Sequence, residues 1–373
     1  MALSKLNNDS FADTAVHGRR NLIINGAMQV AQRDTSSTSS GIQTVDRFSY
    51  LASTDATITQ SQTAITSGSP YDEGFRSVYR LTASTASSSP ATSHYLGYQV
   101  YLEAQNVAQS GWNYTSTSSS VTLSFWVKSS VAGTYTAQLR SEDGTKQDQI
   151  FEYTLVADTW KKVEHTFTGD SDITINNDNG RGLRLTIWVY LGTDFTSSDV
   201  VYNAWSAFAT GEQSKDFSQN WMTTTNATFD ITGVQLEVGD KATPFEQRSF
   251  GEELALCQRY YHRLDSANAN GNYYRYNSQR NTGSTGTAGS YHMPVTMRST
   301  PSIGTTGTAS NYAITHTGGN TACSSTPAIG GDGSGPELVN LEINVASGLT
   351  GGQGSQLMSN NNKTSFIAFD AEL

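Results

Sequence analysis

The chain has 373 residues; 15% are charged, 36% are hydrophobic, and about a quarter are Ser or Thr. With 33 Gly as well, this composition disfavours helical bundles and suits sandwiches of short strands with hydroxyl-rich outer faces. A net charge of −10 argues against nucleic-acid binding, which needs clustered cations to release counterions, and no apolar run approaches the roughly 20 residues of a membrane span. Cys257 and Cys323 make no disulfide framework.

Residues 1–20 are polar, carry Lys5, Asp9, Asp13, Arg19 and Arg20, and read as an extended arm without the apolar core of a secretory signal. A sandwich-like block follows over 21–246. In 121–128, Val121, Leu123, Phe125 and Val127 share one face of a strand, while Thr122, Ser124, Trp126 and Lys128 share the other. In 183–191, Leu183, Leu185, Ile187, Val189 and Leu191 point one way and Arg184, Thr186, Trp188 and Tyr190 the other. Each strand thus pairs an apolar face with a polar face that carries a tryptophan. Further strands are expected at 76–82, 95–102, 133–139, 149–155, 161–167 and 229–237, separated by Gly, Asn, Asp and Ser turns. Long crossover helices are absent, so the sheets should be antiparallel and packed face to face as a jelly roll.

A helix is expected over 249–264. Ser249 and Glu252 form a capping box, and Phe250, Leu254, Cys257, Tyr261 and Leu264 follow at spacings that make a heptad seam able to align copies of the chain. The alternative is a linker helix within 247–264 that lies on a neighbouring sandwich. A second, smaller sandwich should fill 265–373. There Val339, Leu341, Ile343 and Val345 alternate with Asn340, Glu342 and Asn344, and Ile367, Phe369, Ala371 and Leu373 alternate with Phe366, Ala368 and Asp370. Tyr312, Ile314 and His316 share a face. Segments 281–290, 318–336 and 348–362 read as loops too long for hairpin turns. The run Tyr273-Tyr274-Arg275-Tyr276 is either a contact surface or a strand whose aromatics cover the sandwich. The expected fold class is therefore all-β, with two antiparallel jelly-roll sandwiches joined by a short helix.

Leu123-Ser124-Phe125-Trp126-Val127-Lys128, Gly133-Thr134-Tyr135, Thr159-Trp160-Lys161-Lys162-Val163 with Phe167-Thr168, and Phe229-Asp230-Ile231-Thr232-Gly233-Val234-Gln235-Leu236-Glu237 resemble, in the family's order, carbohydrate-binding modules of the galactose-binding-like type. The opening Asn21-Leu22-Ile23-Ile24-Asn25-Gly26-Ala27-Met28-Gln29 with Val45-Asp46-Arg47-Phe48 resembles that of bacteriophage tail-fibre and other virion fibre proteins. So does the junction Ala242-Thr243-Pro244-Phe245-Glu246 running into Glu253-Leu254-Ala255-Leu256-Cys257-Gln258-Arg259-Tyr260-Tyr261. The resemblance implies one convex and one concave sheet, glycan binding in a groove or loop cleft, a core position for Trp160, and often a structural calcium. Asp230 matches one calcium position. Gln29, a neutral ligand, stands where the family has an acidic residue, although hard cations prefer charged oxygens.

Sugars offer apolar C–H faces ringed by hydroxyls, so flat aromatics and short polar side chains recognise them. Trp126 and Trp188, on the polar faces of their strands, are the expected platforms, with Tyr190 and Arg184 supplying hydrogen bonds. Trp112 and Tyr114 precede a strand, and Trp205, Phe208 and Trp221 lie in an irregular region; as loop aromatics all are binding candidates or plugs that close the end of the sandwich. Hydrolysis would need two carboxylates about 5 to 9.5 Å apart in a cleft. Asp143, Glu152 and Asp158 form no such motif. His94, His165, His262, His292 and His316 are scattered, without nucleophilic elbow or metal-ligand spacing.

These readings converge on a non-enzymatic fibre on the exterior of a virus particle, tail or capsid, that binds host-surface glycan. The arm would attach to other virion proteins, and the resemblance to fibres implies a homotrimer. A composition that looks extracellular, without signal or disulfides, fits release by lysis. Three rivals remain: a structural decoration or adaptor without glycan binding, a secreted cellular glycan-binding module, and a depolymerase. No nucleic-acid partner, membrane insertion or cofactor beyond the calcium is expected.

Overall fold

A computed structural model describes residues 19–373, so the expected attachment arm lies outside the described residues except for Arg19 and Arg20. The chain divides into two compact units; the first ends at Glu253 and the second runs Leu254–Glu372.

The strands of the first unit are β1 (Ser36–Ser37), β2 (Ser49–Ser53), β3 (Thr57–Ala64), β4 (Ser77–Thr85), β5 (Tyr95–Glu103), β6 (Ser120–Ser129), β7 (Gly133–Ser141), β8 (Gln147–Leu155), β9 (Lys161–Thr168), β10 (Arg181–Leu191), β11 (Trp205–Ala207) and β12 (Thr228–Val238). Two short helices, α1 (Ser69–Asp72) and α2 (Ala104–Ala108), lie between them. One six-stranded sheet has the order β1-β3-β4-β12-β6-β9 and the other β11-β8-β7-β10-β5-β2. Every ladder is antiparallel. The alternating apolar residues meet between the sheets: Leu123, Phe125, Ile231 and Leu236 from one, Tyr98, Tyr135, Leu139, Leu185 and Ile187 from the other, all buried. The Tyr98 hydroxyl crosses this core, donating to the Phe229 carbonyl at 2.5 Å and accepting from the Leu81 amide at 3.1 Å. Burial pushes that phenol well above its ordinary pKa.

The two flanking motifs meet each other. Asn21 accepts from the amides of Ile23 (2.9 Å) and Leu236 (3.1 Å), and its own amide donates to Glu246 at 2.7 Å. Arg248 donates to the Asn21 carbonyl at 2.6 Å and pairs with Glu246 at 3.2 Å. Glu253 accepts from the Asn25 amide at 2.5 Å. Gly26 is required here, because a Cβ would stand 2.0 Å from the Val234 carbonyl oxygen. The opening and closing segments therefore clasp the first unit shut.

The expected helix is shorter than its pattern. The capping box forms, with Glu252 accepting from the Ser249 amide at 2.9 Å and Ser249 Oγ accepting from the Glu252 amide at 3.3 Å. However, α3 spans Phe250–Gln258, and Tyr261 and Leu264 lie on a strand. The helical seam of Phe250, Leu254, Cys257, Tyr261 and Leu264 is thus not built: Phe250 is exposed, while Cys257 and Tyr261 are buried inside the chain. The aromatic and β-branched character of the neighbouring ladder, which offers Phe366, Ile367 and Phe369, wins over the helical spacing.

The second unit contains β13 (Tyr261–Asp265), β14 (Arg275–Asn281), β15 (Gly286–His292), β16 (Ser302–Thr305), β17 (Tyr312–His316), β18 (Gly319–Ala322), β19 (Ala328–Ile329), β20 (Leu338–Asn344), β21 (Gly354–Ser359) and β22 (Phe366–Asp370). They form a three-stranded sheet, β13-β22-β16, and a seven-stranded sheet, β18-β17-β21-β14-β15-β20-β19. Tyr312, Ile314, Leu341, Ile343, Leu357, Ile367 and Phe369 make the core. The three segments expected as long loops each contain strand: β15, β18 with β19, and β21. Their Gly, Ser and Thr residues carry little pattern, and the patterned neighbours β20, β17 and β14 recruit them through backbone hydrogen bonds. The tyrosine run divides: Arg275 and Tyr276 lie on β14, with Tyr276 in the core bonded to Ser365 at 2.8 Å, while Tyr273 and Tyr274 precede the strand and Tyr273 is exposed.

Candidate functional site

The outer face of the second sheet of the first unit carries Gln99 and Tyr101 from β5, Arg184, Thr186 and Trp188 from β10, and Thr136, Gln138 and Arg140 from β7. The register sets Arg184 between Tyr101 and Arg140, Thr186 between Gln99 and Gln138, and Trp188 between Gly97 and Thr136. Over this grid lies part of the connection from β10 to β12. It is held by β11 pairing with β8 and by the Gln213 amide donating to the Phe195 carbonyl at 2.9 Å.

A cleft of about 320 Å³ opens there. Tyr95, Trp188, Phe195 and Phe208 give it aromatic walls; Gln99, Arg140, Arg184 and Gln213 give it hydrogen-bonding groups. Tyr95 meets Trp188 and Phe195 edge-on, with ring centroids 6.3 and 5.4 Å apart. Gly97 makes room for the Trp188 indole: a Cβ there would stand 2.9 Å from Cε3 of Trp188 and 2.7 Å from the Ile187 carbonyl oxygen. Arg140 lies over the Phe208 ring at 3.9 Å and pairs with Glu142 at 3.0 Å, and Arg184 pairs with the same carboxylate at 3.3 Å.

The sheet face that carries the cleft keeps unused hydrogen-bonding capacity, at Trp188 in the cleft wall and at three buried groups on the same face. The Trp188 indole N–H, the Thr136 and Thr186 hydroxyls and the Gln138 carbonyl oxygen are buried and have no hydrogen-bond partner among the described residues. Each such group costs about 1–3 kcal/mol. Beside them, Asp148 accepts from Gln138 and, at 3.5 Å, from Ser206; burial nevertheless pushes its carboxyl up to about 6.

The structure sorts the sequence candidates sharply. Trp188 and Arg184 line the cleft. Trp188 is, however, only 4% exposed, so it forms part of a wall and is not an open platform. Tyr190 does not stand beside it: the register shifts between Trp188 and Tyr190, so Tyr190 packs against the main core and Phe217 while Leu191 turns out to line the cleft. Trp126 is no platform either. It is sealed against Phe75, Trp160 and Phe245, with its indole N–H donating to Glu73 at 3.0 Å. Trp112 and Trp221 belong to the core, bonded to the Ser119 carbonyl at 3.4 Å and the Thr228 carbonyl at 3.1 Å. Tyr114 and Trp205 are half-buried plugs that donate to the carbonyls of Ile175 (3.2 Å) and Thr168 (2.7 Å).

Asp230 does not fit a calcium ligand. Its two oxygens take Nε and Nη2 of Arg80 at 2.7 and 2.8 Å, and Lys128 Nζ stands 3.7 Å away. The positive charge a cation would bring is already supplied by side chains, and no group of three or more acidic, His or Cys ligands occurs among the described residues.

Tyr95, Gln99 and Tyr101 were not singled out from the sequence, although they alternate on the polar side of an expected strand. Arg140, Phe195 and Gln213 carried no local signal, because their roles depend on which strand and connection reach the face. Phe208, one of the loop aromatics offered as binding candidates or plugs, lines the cleft.

No family model and no curated protein matches the chain. Among solved structures it is similar to the enzymatically active domain of tailspike protein 4 of bacteriophage CBA120, at 10% identity over 59% of this chain with a TM-score of 0.32. The match spans about a fifth of that structure's length, 21%. It is also similar to the family 11 carbohydrate-binding module of a cellulosomal cellulase of Clostridium thermocellum (11% identity, 56% of this chain and 96% of that one, TM-score 0.27). A xylan-binding domain from Paenibacillus barcinonensis aligns at 12% identity over 57% of this chain and 99% of that one, with a TM-score of 0.26.

Proposed function

We propose that the first unit binds a saccharide in the cleft on its second sheet, without hydrolysing it, and that the chain serves as a glycan-binding fibre on the exterior of a virus particle. The cleft itself carries the reading. Aromatic walls fit the apolar faces of a sugar ring, and amide and guanidinium groups at its base fit the hydroxyls. Among the described residues no carboxylate lines the cleft, whereas glycoside hydrolysis uses two. The virion role rests on the resemblances at 21–29, 45–48 and 242–261. Single sugar sites hold ligand with about millimolar affinity, near −4 kcal/mol, so several copies acting together, a trimer by resemblance to fibres, would supply the avidity.

A glycan array with the whole chain, followed by titration of the best ligand, tests the proposal. Trp188→Phe should weaken binding about tenfold by shrinking the wall and removing the indole N–H. Stability should change by less than about 1 kcal/mol, because that N–H has no partner to lose. Absence of binding at millimolar sugar, together with no adsorption to host cells, would replace this reading with a structural decoration or adaptor.

A further inference from the structure

The cleft is charged against the trend of the chain. The molecule carries −10, yet among the described residues the only charged side chains lining the cleft are Arg140 and Arg184. One carboxylate serves both. Glu142 takes Nε of Arg140 at 3.0 Å and Nε of Arg184 at 3.3 Å on the same oxygen, while its other oxygen takes Lys146 Nζ at 2.9 Å. Arg181 lies nearby over the Tyr101 ring at 4.1 Å.

The way the two arginines are held matters as much as their number. Arg140 donates its Nε–H to Glu142, which fixes its plane, while Arg184 Nε stands 3.3 Å from the same oxygen as an ion pair without a hydrogen bond; both leave their terminal amines. Those of Arg140 make no hydrogen bond among the described residues, and those of Arg184 make one long contact, 3.4 Å to Gln99. Both side chains are nearly buried, at 5% and 12% exposure. A fixed, poorly hydrated guanidinium fork matches the two-oxygen edge of a carboxylate or sulfate better than it matches a lone hydroxyl.

We propose that the saccharide carries an anionic substituent, a carboxylate or a sulfate ester, held between Arg140 and Arg184. This rests on the reading of the cleft as a sugar site. Because the chain as a whole is acidic, polyanions are repelled elsewhere on its surface, and any preference for them reports the cleft.

Calorimetric titration of the full chain against three oligosaccharide probes provides the test: oligogalacturonate for the carboxylate, a sulfated galactan oligomer for the sulfate, and neutral galactan oligomer as reference. One anionic probe should bind at least about tenfold tighter than the neutral one, and which one it is identifies the substituent. That advantage should shrink severalfold at high salt, a measurement that needs no variant. Arg184→Gln should lower the ratio of anionic to neutral affinity about tenfold, over and above any loss of neutral binding, and Arg184→Lys, which keeps the charge but not the fork, should fall between. Equal affinity for neutral and anionic probes would overturn the anionic assignment and leave sugar binding intact. Failure of all three, and of the array, would remove the sugar site itself.

Discussion

The two outer faces of the first sandwich began with the same pattern and ended differently. Each carries a tryptophan on the polar side of a central strand, Trp126 on β6 and Trp188 on β10. Over Trp126 lie Phe75, Trp160 and Phe245, and Glu73 takes its N–H. Over Trp188 lies part of a long connection that leaves a cleft and gives its N–H no partner. The acids of the two faces differ likewise. Asp230 is saturated by Arg80 and Lys128, whereas Asp148 has an amide and a hydroxyl. The closed face satisfies its indole N–H and its carboxylate from within the chain and leaves the Thr232 hydroxyl without a partner. A face that leaves them unsatisfied is where a ligand has something to add.

Three substitutions probe this contrast on stability alone. Trp126→Ala should cost most, about 3–5 kcal/mol by chemical denaturation, because it empties the pocket under Phe75 and Phe245. A loss under about 1 kcal/mol would mean the face is open after all. Asp230→Asn should cost about 2–3 kcal/mol near neutral pH, discounted because Arg80 and Lys128 remain partly hydrated.

Asp148→Asn should have the smallest effect and the opposite sign. The Asp148 carboxyl is raised from 3.8 to about 6, so its contribution is fully present below pH 3.8 and is lost as pH rises through 6. The amide should therefore leave the protein equally or slightly more stable at pH 7 to 8, by under about 1 kcal/mol, with the gain disappearing at pH 4. Melting temperatures of wild type and variant across that range decide it. A variant less stable at every pH would show that the carboxylate is fully solvated or paired in the folded state.

Much of the first fold could be read from the chain, because its strands alternate strongly. The eight strands expected there all form, within a few residues of their expected ends. Two kinds of feature could not be read. One is sidedness past an irregularity: nothing local in Trp188-Val189-Tyr190-Leu191 announces the register shift that exchanges Tyr190 for Leu191. The other is what covers a polar face. Trp126 and Trp188 look alike in their own strands, and only residues outside those strands, Glu73 and Phe245 for one, Phe195 and Gln213 for the other, separate them. In the second unit the weakly patterned segments GTAGSYH and GSQLMS became strands because their neighbours needed partners. Gly289 shows the reason for one glycine: a Cβ would stand 2.2 Å from the Ser278 carbonyl oxygen.

The clasp built from Asn21, Glu246, Arg248 and Glu253 has a mechanical consequence. The polypeptide enters and leaves the first sandwich at one spot, so tension applied along the chain on either side meets this knot of ionic and amide bonds before it reaches any sheet. While the knot holds, the cleft at the opposite sheet is shielded from the pull, and the module can hang from a taut backbone without being stretched.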